Sequence, residues 1–339
     1  MILRNKKVLC SQTTIQRNLP VNFEEKDRYL FDHELNKEIE NTYLYTLNSV
    51  LVVNDTVITF PFYRFYPAET HLNGSFSLAQ KKAYKQNIHY PVAFNKKGVW
   101  ITQNWTWMYF HWMIDALTRY VASQSFINKH PILVPSSYQK FGYIQESLDY
   151  LGLPYVWYDE NKTTYVWELL LPSHTAIPGN YNVVYLNALR TLFLSKSRQI
   201  ENFKRKVYIS RKNAKTRRMI NESSFINLLA KYSIEYYCLE LLSLSEKINL
   251  LSNTSLLIGV HGAGLTNMLF LPDQASVIEI RMLGDSHNNS YFAMASALQF
   301  PYYYLEAELV DSSSEEKDIV LDLEKMERIL IDLKDEHSH

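Results

Sequence analysis

The chain has 339 residues, which favours two domains, and 47% of them are hydrophobic, as expected of a globular protein with a sizeable core. Its 35 basic and 35 acidic side chains balance, which argues against a broad nucleic-acid-binding surface. The two cysteines, Cys10 and Cys238, are too few for a disulfide scaffold or a zinc site made of cysteines.

The start of the chain carries no visible targeting signal. Residues 1–20 have basic side chains but no apolar core of signal-peptide length, and nowhere does an apolar run approach the ~18 residues of a membrane span. The expected location is the cytoplasm, with the inner face of the plasma membrane as the alternative. Peripheral membrane association and the oligomeric state stay open.

Short strands and turns dominate the first hundred residues, with strands predicted at 43–53, 57–60 and 99–102. Apolar side chains at 3–4 residue spacing then predict a helix over residues 109–123. Short apolar runs alternate with helical segments as far as residue 202, which indicates β–α units. We place the domain boundary between residues 203 and 204.

From residue 204 the pattern becomes regular. A strand followed by a helix recurs four times, and this alternation predicts a doubly wound parallel sheet. An amphipathic closing helix is predicted over residues 319–333. In such a sheet, ligands bind beyond the carboxyl ends of the strands, so the residues that follow each strand are the first candidates for a site.

A glycine-rich loop follows one buried strand of the second half. Gly259, Gly262 and Gly264 are three of only nine glycines in the chain, and a helix is predicted to begin at Thr266. Glycines let the backbone approach a ligand, and the free N–H groups at a helix start attract anions, so a phosphate or diphosphate is the natural partner. The alternative is a tight turn whose glycines serve only packing.

Two further strand ends carry charged residues. Arg211 follows a strand, with Arg217 and Arg218 close behind, and guanidinium groups suit phosphate oxygens; a solvated basic loop is the alternative. Glu279 lies in an apolar strand 18 residues after His261, the spacing at which a carboxylate can hold ribose hydroxyls. Its alternative is an edge-strand carboxylate facing solvent.

In the first half, His111 and Asp115 lie one helical turn apart. A carboxylate at this spacing can orient an imidazole and raise its basicity, as in a general base. Aromatic residues surround the pair in the sequence, among them Trp105 and Trp107. A surface ion pair or a core histidine is the alternative interpretation.

These residues together resemble the signatures of glycosyltransferase family 61. The resemblance rests on three motifs in the right order and spacing: Phe110-His111-Trp112-x-x-Asp115 with Arg119; Val207-Tyr208-Ile209-Ser210-Arg211 with Arg217-Arg218; and Gly259-Val260-His261-Gly262-Ala263-Gly264-Leu265-Thr266-Asn267 followed by Val277-Ile278-Glu279-Ile280. The matched span covers roughly residues 100–305. Residues 1–95 match nothing that we can name.

The resemblance implies an α/β, GT-B fold, with two Rossmann-like domains facing a cleft: an acceptor-side domain at 1–203 and a donor domain with the closing helix at 204–339. It implies transfer of a sugar, with inversion, from a nucleotide-sugar donor to an oligo- or polysaccharide acceptor. Lacking a membrane anchor, the chain is more similar to bacterial relatives in capsule or surface polysaccharide synthesis. The donor-binding residues implied are Arg211, Arg217, Arg218, His261, Gly262, Ala263, Gly264, Leu265, Asn267 and Glu279.

The catalytic residues implied are His111, as the base, and Asp115, although His261 could be the base instead. No Asp-x-Asp pair occurs, so neither a metal nor a further cofactor is expected beside the nucleotide sugar. Two other functions remain open: a nucleotide-sugar epimerase on the same architecture, and a non-catalytic carbohydrate-binding protein.

Overall fold

The computed structural model describes residues 5–71, 74–88, 93–127, 130–197, 205–311 and 316–336. The chain divides into two compact units. Unit 1 comprises residues 1–14 and 38–192, and unit 2 comprises residues 15–37 and 193–339. The boundary expected at 203/204 lies outside the described residues, and the assignment of residues 15–37 to unit 2 was not foreseen.

The strands within the described residues are β1 (Asn5–Cys10), β2 (Thr13–Gln16), β3 (Asn36–Ile39), β4 (Thr42–Val53), β5 (Thr56–Thr59), β6 (Arg64–Phe65), β7 (Ala93–Val99), β8 (Ile132–Pro135), β9 (Tyr155–Tyr158), β10 (Thr164–Pro172), β11 (Arg205–Ile209), β12 (Glu235–Tyr237), β13 (Thr254–Val260), β14 (Ser276–Met282), β15 (Tyr302–Leu309) and β16 (Ile319–Val320).

The α-helices are α1 (Arg28–Phe31), α2 (Pro67–Thr70), α3 (Leu78–Gln86), α4 (Leu117–Ser123), α5 (Gly142–Leu151), α6 (Val183–Leu194), α7 (Glu222–Lys231), α8 (Leu244–Leu251), α9 (Ser290–Ala297) and α10 (Leu323–Glu336). A π-helical stretch, His111–Ala116, leads directly into α4. Short 3₁₀ helices complete the list: Glu25–Asp27, Asp32–Glu34, Gln124–Phe126, Ser136–Lys140, Leu239–Leu241 and Ala263–Phe270.

Unit 1 is built on a mixed sheet in the order β6-β5-β4-β10-β7-β8-β9, with β1 also pairing with β4. β10, β7, β8 and β9 run parallel, whereas β1, β5 and β10 pair antiparallel with β4. The expected β–α units therefore account for half of this sheet, and an antiparallel extension makes the other half. Leu47, Trp100 and Leu169 are among the buried side chains of its core.

One strand lies earlier than predicted. The strand expected at 99–102 is β7, which ends at Val99. The polar residues Asn95, Lys96 and Lys97 give this part of the strand no hydrophobic pattern, and its first five residues are exposed or only partly buried. Residues 100–103 instead leave the sheet and form a buried loop at its carboxyl end.

Unit 2 contains a six-stranded sheet in the order β12-β11-β13-β14-β15-β16. The first five strands are parallel and only β16 is antiparallel. Numbered within the unit, the parallel strands follow the order 2-1-3-4-5, so the doubly wound sheet predicted from the sequence is confirmed for this unit. The order in which strands are added to the sheet reverses between β11 and β13, and ligands bind at this point in such folds.

The early segment 15–37 packs against β15 and α9 of this unit. Val21 N donates a hydrogen bond to Tyr302 O, and the Asn22 side chain pairs with both backbone groups of Tyr304. Phe31 adds ring contacts with Phe292 and Tyr304. Because these contacts join residues more than 250 positions apart, no local sequence pattern could reveal them.

A hydrophobic core packs against the sheet of unit 2. Residues on β11, β13 and β14, such as Tyr208, Ile258 and Ile278, pack with α7 and α10. The closing helix was correctly predicted as amphipathic, although it begins at Leu323 rather than at 319, where β16 lies. Among the described residues, no helix is long and apolar enough to cross a membrane.

Candidate functional site

The glycine-rich loop lies at the reversal point of the unit 2 sheet. β13 ends at Val260, and the 3₁₀ helix Ala263–Phe270 begins three residues later. β11, the neighbouring strand, ends at Ile209, two residues before Arg211. The carboxyl ends of these adjacent parallel strands therefore bring the loop and Arg211 together, as the sequence predicted.

Arg211 and Arg217 both lie against Gly262. A Cβ added to Gly262 would lie 2.5 Å from Nη1 of Arg211 and 3.6 Å from Nη2 of Arg217, and the φ of Gly262, +153°, also disfavours a side chain. Arg217 Nη1 donates to the backbone oxygen of His261 at 2.8 Å. Arg217 itself has a φ of 59°, a strained value for a bulky residue, which the surrounding structure holds in place.

These two guanidinium groups form a local positive charge. Burial lowers the pKa of Arg211, and the charge of Arg217 lowers it further. Arg211 Nη2 donates to the backbone oxygen of Thr216, while its buried Nε has no hydrogen-bond partner among the described residues. Two adjacent cations, with no carboxylate paired to either in the described part of the chain, make a site suited to a phosphate group.

Arg218 does not join this pair. Its guanidinium forms ion pairs with Asp318 at 2.7 Å and Glu316 at 2.6 Å. Arg218 is among the donor-binding residues predicted from the sequence; in the described part of the chain it pairs instead with acidic residues before β16 and makes no contact with the glycine loop. Adjacent residues on a loop point in different directions, which the sequence alone could not decide.

Glu279 also has a different role from the one predicted. Its side chain is 0% exposed, so it cannot reach a ribose. Oε1 accepts a hydrogen bond from His261 Nδ1 at 2.5 Å, and Oε2 accepts one from the Tyr302 hydroxyl at 2.6 Å. Burial acts to raise the pKa of Glu279, but His261, Arg281 and Tyr302 together lower it below its usual value, so the carboxylate is ionised.

This buried carboxylate orients the His261 ring. Because Nδ1 of His261 is held by Glu279, the opposite nitrogen, Nε2, is the one that can meet a ligand. The ring also packs edge-on against Tyr291, with 5.1 Å between centroids. His261 is thus a fixed side chain beside Gly262, not a mobile surface histidine.

The remaining loop residues support the backbone. Gly259 and Gly264 allow close packing, because a Cβ would lie 2.8 Å from Leu265 or 3.1 Å from Ile209. Leu265 is in the core, and buried Asn267 donates to Gly264 O at 2.8 Å. Ala263 is exposed. The packing interpretation therefore holds for Gly259 and Gly264, whereas Gly262 is needed for the contact with arginine.

Unit 1 carries a second histidine–carboxylate pair. His111 Nδ1 and Asp115 Oδ2 are 2.6 Å apart on the π-helical stretch, and Gln103 Nε2 donates to the same oxygen at 3.4 Å. The helix predicted over residues 109–123 is confirmed, with the π-helical stretch as an unforeseen detail. Such stretches are rare and often occur at functional sites.

The electrostatics of this pair differ from those of the first. Burial raises the pKa of Asp115, and the hydrogen bond from His111 only partly offsets the effect. Arg119, which belongs to the same motif, is fully buried and donates to the backbone oxygens of Pro172, Ile101 and Thr102. Arg119 therefore fastens the helix to two strand ends and does not face a ligand.

Several supporting residues escaped the sequence analysis. Tyr302 and Gln103 complete the two carboxylate environments, but each comes from a distant segment, and neither has a motif. Arg281 hydrogen-bonds Asn289 and lowers the pKa of Glu279. The sequence did indicate this proximity, because Arg281 lies two residues after Glu279 and therefore on the same face of the strand.

The described residues contain no group of three or more histidine, cysteine or acidic side chains that could hold a metal ion. The independence from metal expected from the family resemblance stays a prediction.

Comparison with known families identifies the chain. The family described as Glycosyltransferase 61 matches residues 109–278, which is half of the chain and includes the His111–Asp115 pair and His261. The chain belongs to glycosyltransferase family 61. The resemblance found in the three motifs is therefore confirmed at the level of the family.

Curated proteins with sequence similarity to the chain include animal enzymes. The EGF domain-specific O-linked N-acetylglucosamine transferases of Bos taurus and Drosophila melanogaster are 36% and 38% identical to it over 85 and 76 residues. The aligned parts cover 24% and 22% of this chain, and 16% and 14% of those proteins. The chain thus matches about one sixth of their length. The bacterial capsular type is not among these relatives.

Proposed function

We propose that the protein is an inverting glycosyltransferase, which moves a sugar from a nucleotide-sugar donor to a glycan acceptor. The observation that carries the proposal is the pair Arg211 and Arg217 against Gly262, at the reversal point of a doubly wound sheet. This arrangement offers two cations, a close backbone approach and, among the described residues, no carboxylate in an ion pair with either arginine. Those are the requirements of a diphosphate group.

At the donor end, the diphosphate would lie against Gly262 with Arg211 and Arg217 around it. His261 would face the same group through Nε2, because its Nδ1 is held by Glu279. The two guanidinium groups would then stabilise the negative charge that develops on the leaving phosphate, with His261 as a further hydrogen-bond partner. Glu279 acts through His261 and is a positioning residue.

At the acceptor end, His111 would act as the general base. The acceptor hydroxyl oxygen attacks the anomeric carbon, and the bond from that carbon to the phosphate oxygen breaks. The electron pair of that bond stays on the leaving phosphate, and the hydroxyl proton passes to His111 Nε2, because Nδ1 is held by Asp115. A single displacement of this kind inverts the configuration at the anomeric carbon.

The two histidines are distinguished by their carboxylates. Several partners lower the pKa of Glu279, so this carboxylate stays ionised and holds His261 Nδ1 in place. Burial raises the pKa of Asp115, so the carboxylate beside the proposed base His111 is less favoured as an anion.

The proposal includes the GT-B arrangement expected from the family resemblance, with the donor on unit 2 and the base on unit 1. N-acetylglucosamine is the first transferred sugar to test, because the animal relatives are named as transferases of it. The role in bacterial surface polysaccharide synthesis has no support from those relatives and stays a prediction from the resemblance. The nucleotide sugar is a co-substrate in this scheme, and no cofactor is proposed.

A thermal-shift panel of nucleotide sugars tests the proposal, with UDP-N-acetylglucosamine first, followed by transfer assays with the donors that bind. Binding of one donor, together with transfer to a glycan, supports a transferase. Epimerisation of the donor without any acceptor would favour the epimerase instead. Glycan binding without any donor binding would leave only a carbohydrate-binding protein.

A further inference from the structure

Two tryptophans of unit 1 stand out from the surface beside the His111–Asp115 pair. Trp105 and Trp107 are 45% and 44% exposed, while Thr106 between them is fully buried. Tryptophan is the side chain with the most apolar area to lose from water, so two of them exposed next to each other are costly without a ligand. We call these two rings the tryptophan platform.

The loop that carries the platform is firmly held. Thr106 Oγ1 donates to Gln103 O at 2.7 Å and accepts from Gln103 N at 3.1 Å. The Tyr143 hydroxyl donates to the backbone oxygen of Trp107, and Phe141 stacks on the Trp107 ring at 5.8 Å between centroids. The exposure of the two rings is therefore a built feature of the loop, and the rings need little ordering when a ligand binds.

The platform is next to the proposed base. The rings of Trp105 and His111 meet edge to face, with 5.6 Å between their centroids. A molecule lying on Trp105 would thus place its outer groups within reach of the imidazole. Because His111 is the proposed base, the attacking hydroxyl of the acceptor has to lie at this position.

Polar atoms complete the surroundings. Thr102 Oγ1, Gln103 Oε1 and His174 Nε2 are buried and have no hydrogen-bond partner among the described residues. Arg119 joins the loops that carry them, because it donates to the backbone oxygens of Thr102 and Pro172. Buried polar atoms without partners are rare in proteins, and they call for a bound water or a ligand hydroxyl.

We propose that the tryptophan platform binds a pyranose ring of the acceptor, next to His111. A pyranose has an apolar face of C–H groups, which suits an aromatic ring, and a rim of hydroxyls, which would meet the buried polar atoms of Thr102, Gln103 and His174 through bound water. The inference rests on the proposed function and narrows it, because it assigns the residues that hold the glycan acceptor and the type of ring that lies next to His111.

Glycan binding by the full chain tests the platform directly. The probes are an array of immobilised oligosaccharides and, for the ligands found, saturation-transfer difference NMR on the free sugars. Trp105→Ala should weaken glycan binding about tenfold or more, and Trp107→Ala by a smaller factor, while Trp105→Phe should restore most of it. Trp167→Ala is the matched control, since Trp167 is 64% exposed in the same unit but on β10, and it should change binding less than twofold.

Donor binding separates this inference from the proposed function. All four variants should keep the thermal shift with the nucleotide sugar, because the platform belongs to unit 1 and the arginine pair to unit 2. If no nucleotide sugar raises the melting temperature of the unmodified protein, the proposed function itself is refuted. Donor binding with no glycan bound, or glycan binding unchanged in Trp105→Ala, would refute the platform. Binding of an EGF domain in place of glycans through the same tryptophans would also refute the saccharide acceptor.

Discussion

His261 and Glu279 are joined by a 2.5 Å hydrogen bond from Nδ1 to a carboxylate that is completely buried. The other oxygen of Glu279 accepts a hydrogen bond from the Tyr302 hydroxyl, so both oxygens of the buried carboxylate have partners within the protein. His111 and Asp115 form a similar pair at 2.6 Å, but their carboxylate has a raised pKa where that of Glu279 is lowered. The carboxylate beside His261 is thus firmly ionised, whereas burial disfavours the anion beside His111.

His111→Ala should reduce turnover by ~10²–10⁴-fold, the usual contribution of a general base. Donor affinity should stay nearly unchanged, because the arginine pair and the glycine loop are in unit 2. Steady-state kinetics and donor titration measure the two effects separately. Turnover close to that of the unmodified protein would assign the base to His261 instead.

Arg211→Ala and Arg217→Ala should each weaken nucleotide-sugar binding by about 10–100-fold, because a hydrogen bond to a charged group contributes about 1.5–3 kcal/mol. Arg218→Ala is the control. Its guanidinium is already paired with Asp318 and Glu316, so donor affinity should change less than about twofold. Calorimetric titration measures the donor affinity of each variant. Equal losses of affinity in all three variants would mean that the donor binds to a diffuse basic surface and not to the Arg211–Arg217 pair.

Gly262→Ala should weaken donor binding and lower the melting temperature. The new Cβ would meet Arg211 at 2.5 Å and displace a guanidinium that the donor needs. Gly284→Ala separates this effect from backbone strain, since Gly284 also has a positive φ, +75°, but no atom lies within 4 Å of the added Cβ. Gly284→Ala should cost stability of about 1 kcal/mol and leave donor affinity alone. If both variants bind the donor normally, Gly262 does not line the donor site.

Asp115→Asn and Glu279→Gln should shift the melting temperature in opposite directions at pH 7. The folded-state pKa of Asp115 is raised, so its contribution to stability is present at low pH and is lost as the pH rises through that value. Removing the charge should therefore raise the melting temperature at pH 7, with a gain that shrinks in acid, while activity falls.

The pKa shift of Glu279 has the opposite sign to that of Asp115. Its folded-state pKa is lowered, so its contribution to stability is present at neutral pH and is lost as the pH falls through that value. Glu279→Gln should lower the melting temperature at pH 7, and the loss should shrink as the pH falls. Scanning calorimetry between pH 4 and pH 8 compares the two variants; shifts of the same sign at pH 7 would contradict these environments.

Activity should persist in EDTA. Arg211 and Arg217 already supply positive charge for the leaving phosphate, so the scheme requires no divalent cation. Transfer assays after chelation, with and without added Mn²⁺, measure the dependence. Complete loss in EDTA that Mn²⁺ restores would require a metal site in the mechanism.

Local patterns in the sequence determined much of this protein. Strand–helix alternation predicted the parallel sheet of unit 2, and the three motifs predicted the family. The clustering of scarce glycines after a strand pointed to the loop that contacts Arg211. These features depend on neighbouring residues and on the rule that parallel strands share an edge, so they can be read along the chain.

Tertiary structure alone decided which side chains face a ligand. Arg217 and Arg218 are adjacent in sequence, yet one meets His261 and the other meets Asp318, a hundred residues away. Glu279 lay at the spacing for ribose but is buried under Tyr302, and segment 15–37 packs on residues near 302. Side-chain direction and partners from distant strands depend on how the chain closes on itself, and a one-dimensional pattern carries no record of that closure.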